Sequence, residues 1–211
     1  MQPTVYGTPL STFVRSTRMA LIEKGVEYEL VDVGVLDGEC KGAQHLARNP
    51  FGKVPVFEHD GHSIYETSAI VRYIDQAFGG ASLQPASATD QARMNQIISI
   101  QDNYGYQAMI LDTVAYYFFP DFIGGADDER LARGKRMAST CLDEFQRLMA
   151  GNAYLCGGQL SLADLYIAPS YFYLSISPAA DELTQARPAL AQWWQRMNDH
   201  DSLKATEPDL G

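Results

Sequence analysis

The chain has 211 residues, 46% of them hydrophobic, with 16 lysines and arginines against 26 acidic residues and a net charge of −10. A surface that acidic is unsuited to wrapping nucleic acid or docking on an anionic membrane, so neither is an expected partner. The length suits one large domain or two modest ones.

Read from the N-terminus, Met1-Gln2-Pro3-Thr4-Val5-Tyr6 has no basic stretch leading into an apolar run, and no secretory signal is expected. Thr4-Val5-Tyr6 is a short apolar run ending at Gly7. Arg15 to Lys24 carries strong helix formers, with Gly25 where a helix should stop. Tyr28 to Val33 alternates apolar and polar side chains, which suits a strand. A second helical patch runs from Lys41 to Ala47, ahead of Asn49-Pro50. Val54 to Phe57 and Ser63-Ile64 flank Glu58-His59-Asp60-Gly61-His62, which reads as a hairpin with a loop rather than a tight two-residue turn. Glu66 to Phe78 sets Ile70, Tyr73, Ile74, Ala77 and Phe78 at helical spacing, stopped by Gly79-Gly80. The order βαβα, hairpin, α is met most economically by a small mixed sheet with helices on its faces.

Residues 79–88 form a linker of small residues, so residues 1–78 are expected to make one domain and 89–211 a second. The second contains no convincing strand and no internal repeat. Its helical stretches are Asp90 to about Phe118, Asp127 to Met149, Ser161 to about Ser177, and Pro188 to Asn198, with breaks at Gly124-Gly125, Gly151, Gly157-Gly158 and Pro178. Ser161-Leu162-Ala163-Asp164 has the capping-box form, a folding device worth about 1 kcal/mol. No uninterrupted apolar segment is long enough to span a bilayer.

The three cysteines, Cys40, Cys141 and Cys156, are few, odd in number and far apart, which argues against a disulfide framework and for a reducing, cytoplasmic setting. His45, His59, His62 and His200 lack metal-ligand spacing, so no metal is expected. Pro55 cannot donate to a ladder, which excludes an ordinary central-strand position there, and it pushes Val54 into an extended conformation. A cis Val54–Pro55 bond would turn the N–H and C=O of Val54 outward, free to pair with an extended peptide-like ligand. The sequence by itself leaves the isomer open. Glu66-Thr67 stands at the mouth of a helix, where unpaired N–H groups receive a carboxylate and Glu66 can accept from an ammonium group. Plain helix capping explains the same two residues. Ser11 lies between the first strand and first helix, where a hydroxyl can donate to a thiolate; it can equally be an N-cap, a role open to Thr12 as well.

Taken in order, these segments resemble the glutathione S-transferase family, and most of all its phi-like, serine-type class. The resemblance rests on Gly7-x-Pro9-x-Ser11-Thr12, Glu23-Lys24-Gly25-Val26-x-Tyr28-Glu29, Asp37-Gly38-Glu39, Arg48-Asn49-Pro50-Phe51-Gly52-Lys53-Val54-Pro55 and Tyr65-Glu66-Thr67-x-Ala69-Ile70. Ser161-Leu162-Ala163-Asp164 and Arg187-Pro188-x-Leu190-x-x-Trp193 extend it into the helical half. It implies an α/β thioredoxin-like N-terminal domain plus an all-α helical C-terminal domain, the glutathione S-transferase fold. It further implies that Ser11 hydrogen-bonds the sulfur of glutathione, that Pro55 is cis, and that Val54 pairs with the cysteinyl backbone. Glu66 and Thr67 would hold the γ-glutamyl head, and Lys41 and Lys53 would approach the glycyl carboxylate. The usual assembly is a homodimer, with Phe51 a candidate plug into the partner subunit. Three positions depart from the class: Cys40 stands where His is frequent, Thr67 where Ser is, and Lys53 where Gln is.

The implied activity is attack of glutathione thiolate on a hydrophobic electrophilic small molecule, a detoxification chemistry. The electrophile would lie between the domains, near Ser11 and the aromatic stretch Tyr104 to Phe119, half or more of whose aromatics are expected in the core or dimer interface. A thiol transferase would need Cys where Ser11 stands, and Cys40 is expected to be an exposed bystander. A glutathione-dependent peroxidase needs no further residue. A non-catalytic binding module is the remaining alternative, disfavoured because Ser11, Val54-Pro55 and Glu66-Thr67 occur together.

Overall fold

In the computed structural model, which describes residues 2–210, four short strands form one mixed sheet. β1 (Thr4–Tyr6), β2 (Glu29–Val31), β3 (Val56–His59) and β4 (His62–Tyr65) lie in the order β2-β1-β3-β4. β1 pairs parallel with β2 and antiparallel with β3, so Val5 lies between Leu30 and Phe57. A parallel pair needs a crossover, here α1 (Thr12–Glu23). α1 packs on β1 and on α3 (Thr67–Ala77), and Val5, Val14, Leu21, Phe57, Ile70 and Ile74 are fully buried.

Two local features differ from the sequence reading. The β3–β4 hairpin closes through a two-residue turn, because His59 already pairs with His62. Asp60 and Gly61 take φ of 47° and 79°, the paired positive angles of a type I′ turn that Asp-Gly favours. The expected helix from Lys41 to Ala47 is split at Gly42, whose backbone is extended, into a 3₁₀ turn (Glu39–Lys41) and α2 (Ala43–Leu46). Cys40 is 4% exposed, not an exposed bystander; its N–H donates to the Gly34 carbonyl at 2.9 Å.

Contacts divide the chain into two units, Met1–Leu83 with His200–Gly211, and Gln84–Asp199. In the first, Lys24 reaches Asp75 of α3 at 3.1 Å, with both side chains almost wholly buried. Asp75 also accepts from the Leu83 N–H, and Lys24 donates to the Ala81 carbonyl, which fastens the chain that leaves α3.

The second unit is helical. One run spans α4 (Ala88–Ile100), a π-helical stretch (Gln101–Val114) and α5 (Ala115–Phe118). The sequence reading expected a single α-helix. The π stretch packs on α6 (Asp128–Met149), where a Cβ on Gly134 would fall 2.5 Å from the Asp112 Cβ, and Thr113 donates its hydroxyl to the carbonyl of Ala108 five residues back. None of the aromatics Tyr104, Tyr106, Tyr116, Tyr117, Phe118 and Phe119 is fully buried, and Tyr104 and Phe118 are exposed. α7 (Leu162–Ser175) is buried on every side from Leu162 to Leu174 and is mostly apolar, with Asp164 and Ser170 as its buried polar residues. α8 (Ala180–Thr184) and α9 (Pro188–Asn198) complete the unit. The last helix, α10 (Asp201–Lys204), packs on α1 of the first unit, where His200 faces Glu23 at 3.1 Å.

Candidate active site

Ser11 is the N-cap of α1, in an extended backbone conformation, and its Oγ accepts from the Val14 N–H at 3.4 Å. The hydroxyl hydrogen is not used by that bond. Thr12, the other candidate cap, points its hydroxyl into the interior, where Oγ1 has no partner among the described residues. Between the end of β1 and this turn stands Gly7. A Cβ there would lie 2.5 Å from Cγ2 of Val14 and 3.0 Å from Cβ of Val54, so the missing side chain lets Val54 sit close to the start of α1.

Val54 precedes a cis peptide bond to Pro55, and Pro55 stands one residue outside β3. No hydrogen bond within the described residues takes up the N–H or C=O of Val54. The loop before it is held from behind. Asn49, 2% exposed, donates from Nδ2 to the Lys53 carbonyl at 2.9 Å and accepts the Phe51 N–H on Oδ1 at 3.0 Å. His45 Nε2 lies 2.8 Å from the same Lys53 carbonyl. Lys41 donates to the Phe51 carbonyl at 3.1 Å, leaving two of its ammonium hydrogens available, and Gly52, at φ +57°, has no Cβ to block its path. Lys53 and Phe51 project outward, with Phe51 60% exposed and edge-on to Tyr65.

Glu66 is the N-cap of α3 at φ 70°, ψ 106°, a strained conformation for a residue with a side chain. No side chain caps this helix, and the exposed Glu66 carboxylate has no partner among the described residues. The N–H groups of Ala69 and Ile70 bond the Glu66 carbonyl, whereas those of Thr67 and Ser68 have no partner among the described residues, leaving two donors at the helix start of the kind that receives an anion. Thr67, the first helical residue, is 7% exposed. Thus Ser11, Val54, Pro55, Lys41, Lys53, Glu66 and Thr67 all fall within the first unit, on loops at strand ends and helix starts. His45 was weighed in the sequence only as a metal ligand. Its position four residues before Asn49, one helical turn from the loop it supports, was the available signal.

Two family models match the sequence: the glutathione S-transferase N-terminal domain over residues 1–76 and the glutathione S-transferase C-terminal domain over residues 106–201. Glutathione S-transferase 4 of Zea mays is 33% identical over 204 residues, covering 90% of this chain and 85% of that protein. Glutathione S-transferase F10 of Arabidopsis thaliana is 28% identical, covering 95% of this chain and 94% of its own length. Among solved structures, glutathione transferase F7 of Populus trichocarpa superposes with a TM-score of 0.85 at 27% identity, covering 97% of both chains.

Proposed function

The chain belongs to the glutathione S-transferase family, and we propose that it binds glutathione beside the end of β1 and uses Ser11 to hold the thiol as a thiolate. It is a transferase, with glutathione as cosubstrate and an electrophilic small molecule as the group it attacks. The direction of hydrogen bonding at Ser11 carries the assignment. Its oxygen is engaged by the Val14 N–H, so the hydroxyl is left as a donor at the positive end of α1. Capping and catalysis therefore use different parts of one group.

A free thiol with a pKa of about 8.5 is only a few per cent ionised at neutral pH. A hydroxyl donated to the thiolate is worth about 1.5–3 kcal/mol, or roughly one to two pKa units, enough to make the thiolate a major species. Val54 offers its N–H and C=O to the cysteinyl backbone. The uncapped start of α3, with the Thr67 hydroxyl, takes the γ-glutamyl carboxylate, and Glu66 takes its ammonium group. Lys41 and Lys53 serve the glycyl carboxylate. A thiol transferase working through a protein thiol is disfavoured: Cys40 is buried, and burial pushes Cys141 up to about 11 and Cys156 up to about 12. The same reading has the enzyme act in the cytoplasm as a homodimer, with the exposed ring of Phe51 entering the partner subunit.

The test is calorimetric titration with glutathione across pH, on native protein and Ser11→Ala, together with thiolate absorbance of the complex. Both proteins should bind glutathione, and only the native one should show thiolate at neutral pH. Absence of binding by the native protein would end the enzyme reading. Full ionisation in Ser11→Ala would remove Ser11 from the mechanism.

A further inference from the structure

The Lys53 carbonyl accepts two side-chain hydrogen bonds, from Asn49 Nδ2 at 2.9 Å and from His45 at 2.8 Å. A carbonyl only accepts, so the hydrogen of the imidazole is on Nε2. This is the ring's polar contact with the chain: Nδ1 is buried and meets no partner among the described residues. Burying an imidazole nitrogen unmet carries a cost that a phenyl or leucyl side chain would not, so packing alone does not account for histidine here.

The Lys53 carbonyl and the Val54 N–H belong to one peptide unit. That unit is planar and, being trans, points its C=O and N–H in opposite directions. Fixing the carbonyl from the α2 side therefore aims the Val54 N–H away from α2, on the side left without a protein partner. Donors at the carbonyl also polarise the unit and strengthen its N–H as a donor. The support is itself anchored. The N–H groups of Arg48 and Asn49 both bond to the His45 carbonyl at 2.9 Å. The Arg48 guanidinium lies over the Tyr6 ring and bonds Glu58 of β3 at 3.2 Å.

We propose that His45 is a positioning residue for glutathione: through the Lys53 carbonyl it sets the direction and donor strength of the Val54 N–H that receives the peptide backbone of the cosubstrate. The inference rests on the reading above that Val54 pairs with glutathione, and it adds a residue that never touches the ligand.

Steady-state kinetics and calorimetry with glutathione on native protein, His45→Phe, His45→Gln and His45→Asn provide the test. A glutamine amide nitrogen reaches the position of Nε2, whereas an asparagine is one bond too short. Loss of one net hydrogen bond should raise KM and Kd for glutathione about three- to tenfold in His45→Phe and His45→Asn. His45→Gln should stay within about twofold of native, the spread expected from a bond of slightly altered geometry. At saturating glutathione, kcat and the ionisation of the bound thiol should be unchanged in all three, which a general loosening of the fold would not produce. If His45→Phe does not fold, the contrast between glutamine and asparagine, two side chains of equal polarity, carries the same information. Equal affinities for those two variants, or a fall in kcat without a change in KM, overturns the proposal. Absence of glutathione binding by the native protein overturns the underlying reading instead.

Discussion

Asp164 offers the sharpest energetic test of the helical unit. Its carboxylate is 0% exposed and accepts four hydrogen bonds. Oδ1 takes the Leu155 N–H and the Trp193 indole N–H, each at 2.8 Å; Oδ2 takes the Ser161 N–H at 2.8 Å and its hydroxyl at 2.6 Å. One side chain thus closes the capping box of α7, ties down the preceding loop and holds α9. Asp164→Ala removes every acceptor. The Ser161 hydroxyl can rotate, but three buried N–H groups cannot, and each orphaned donor costs about 1–3 kcal/mol. The expected loss is about 3–9 kcal/mol, against a total stability of about 5–15 kcal/mol for a typical domain. Urea unfolding should be followed by tryptophan fluorescence, which Trp193 reports directly, and by far-UV circular dichroism. A double-mutant cycle with Trp193→Phe isolates one bond, because the second change removes a donor already orphaned by the first; a coupling of about 1–2 kcal/mol is expected. A loss under about 1 kcal/mol in Asp164→Ala, or no coupling to Trp193, would refute the hydrogen-bond account.

Burial raises the thiols of Cys141 and Cys156 from 9.0 to about 11 and about 12. A raised folded pKa means the folded state holds its proton more tightly, so stability is intact below pH 9 and falls as pH rises toward those values. Each thiol contributes a slope of about 1.4 kcal/mol per pH unit, or about 3 kcal/mol together by pH 10. Urea titrations at pH 8, 9 and 10 should show that decline, and Cys141→Ala/Cys156→Ala should flatten it; a native profile already flat to pH 10 would contradict the burial argument. Gly7→Ala places a methyl against Val14 and Val54. It should lower stability by about 1–3 kcal/mol through overpacking. Because Val54 must move, Kd for glutathione should rise at least about fivefold. Unchanged calorimetric affinity would show that Val54 need not sit against Gly7.

The long elements were legible because their boundaries carry local chemistry. Gly25 follows α1 as a stop, Asp127 caps α6, and α9 begins at Pro188, where a missing N–H costs nothing. The hairpin was misread because Glu58, His59 and His62 look like loop residues. They are strand residues: Glu58 is met by the Tyr6 hydroxyl, His59 by that of Tyr73, and His62 is exposed to solvent. The π stretch lies beyond a pattern reading for a different reason. Whether a helical carbonyl is met four or five residues on is a matter of tertiary packing, and here the stretch lies closely against α6, with Gly134 beside Asp112. Cys40, flanked by Glu39 and Lys41, reads as surface; its burial follows from the 3₁₀ turn and the bond to Gly34, neither of which is written in its neighbours' polarity.

The candidate site was legible to the extent that it is made of side chains, and much of it is not. What the proposed function sets against a peptide-like ligand is the N–H and C=O of Val54 and the start of α3, groups that every residue carries and no composition reveals. Sequence marks them only indirectly: a proline after Val54 that takes the loop out of the ladder, and glycines at 7 and 52 where a Cβ would collide with Val54 or Lys41. The residue proposed to aim that backbone is further removed still. His45 contacts a carbonyl eight residues on, and in sequence only its spacing of one helical turn before Asn49 sets it apart from any other histidine on a short helix. A site that recognises backbone with backbone therefore places its side-chain specificity one layer back, in the groups that decide which way a peptide plane faces. Ser11 differs in being a side chain at a helix start, where its observed cap and its proposed service to a sulfur share one hydroxyl, and only the family resemblance pointed to the second.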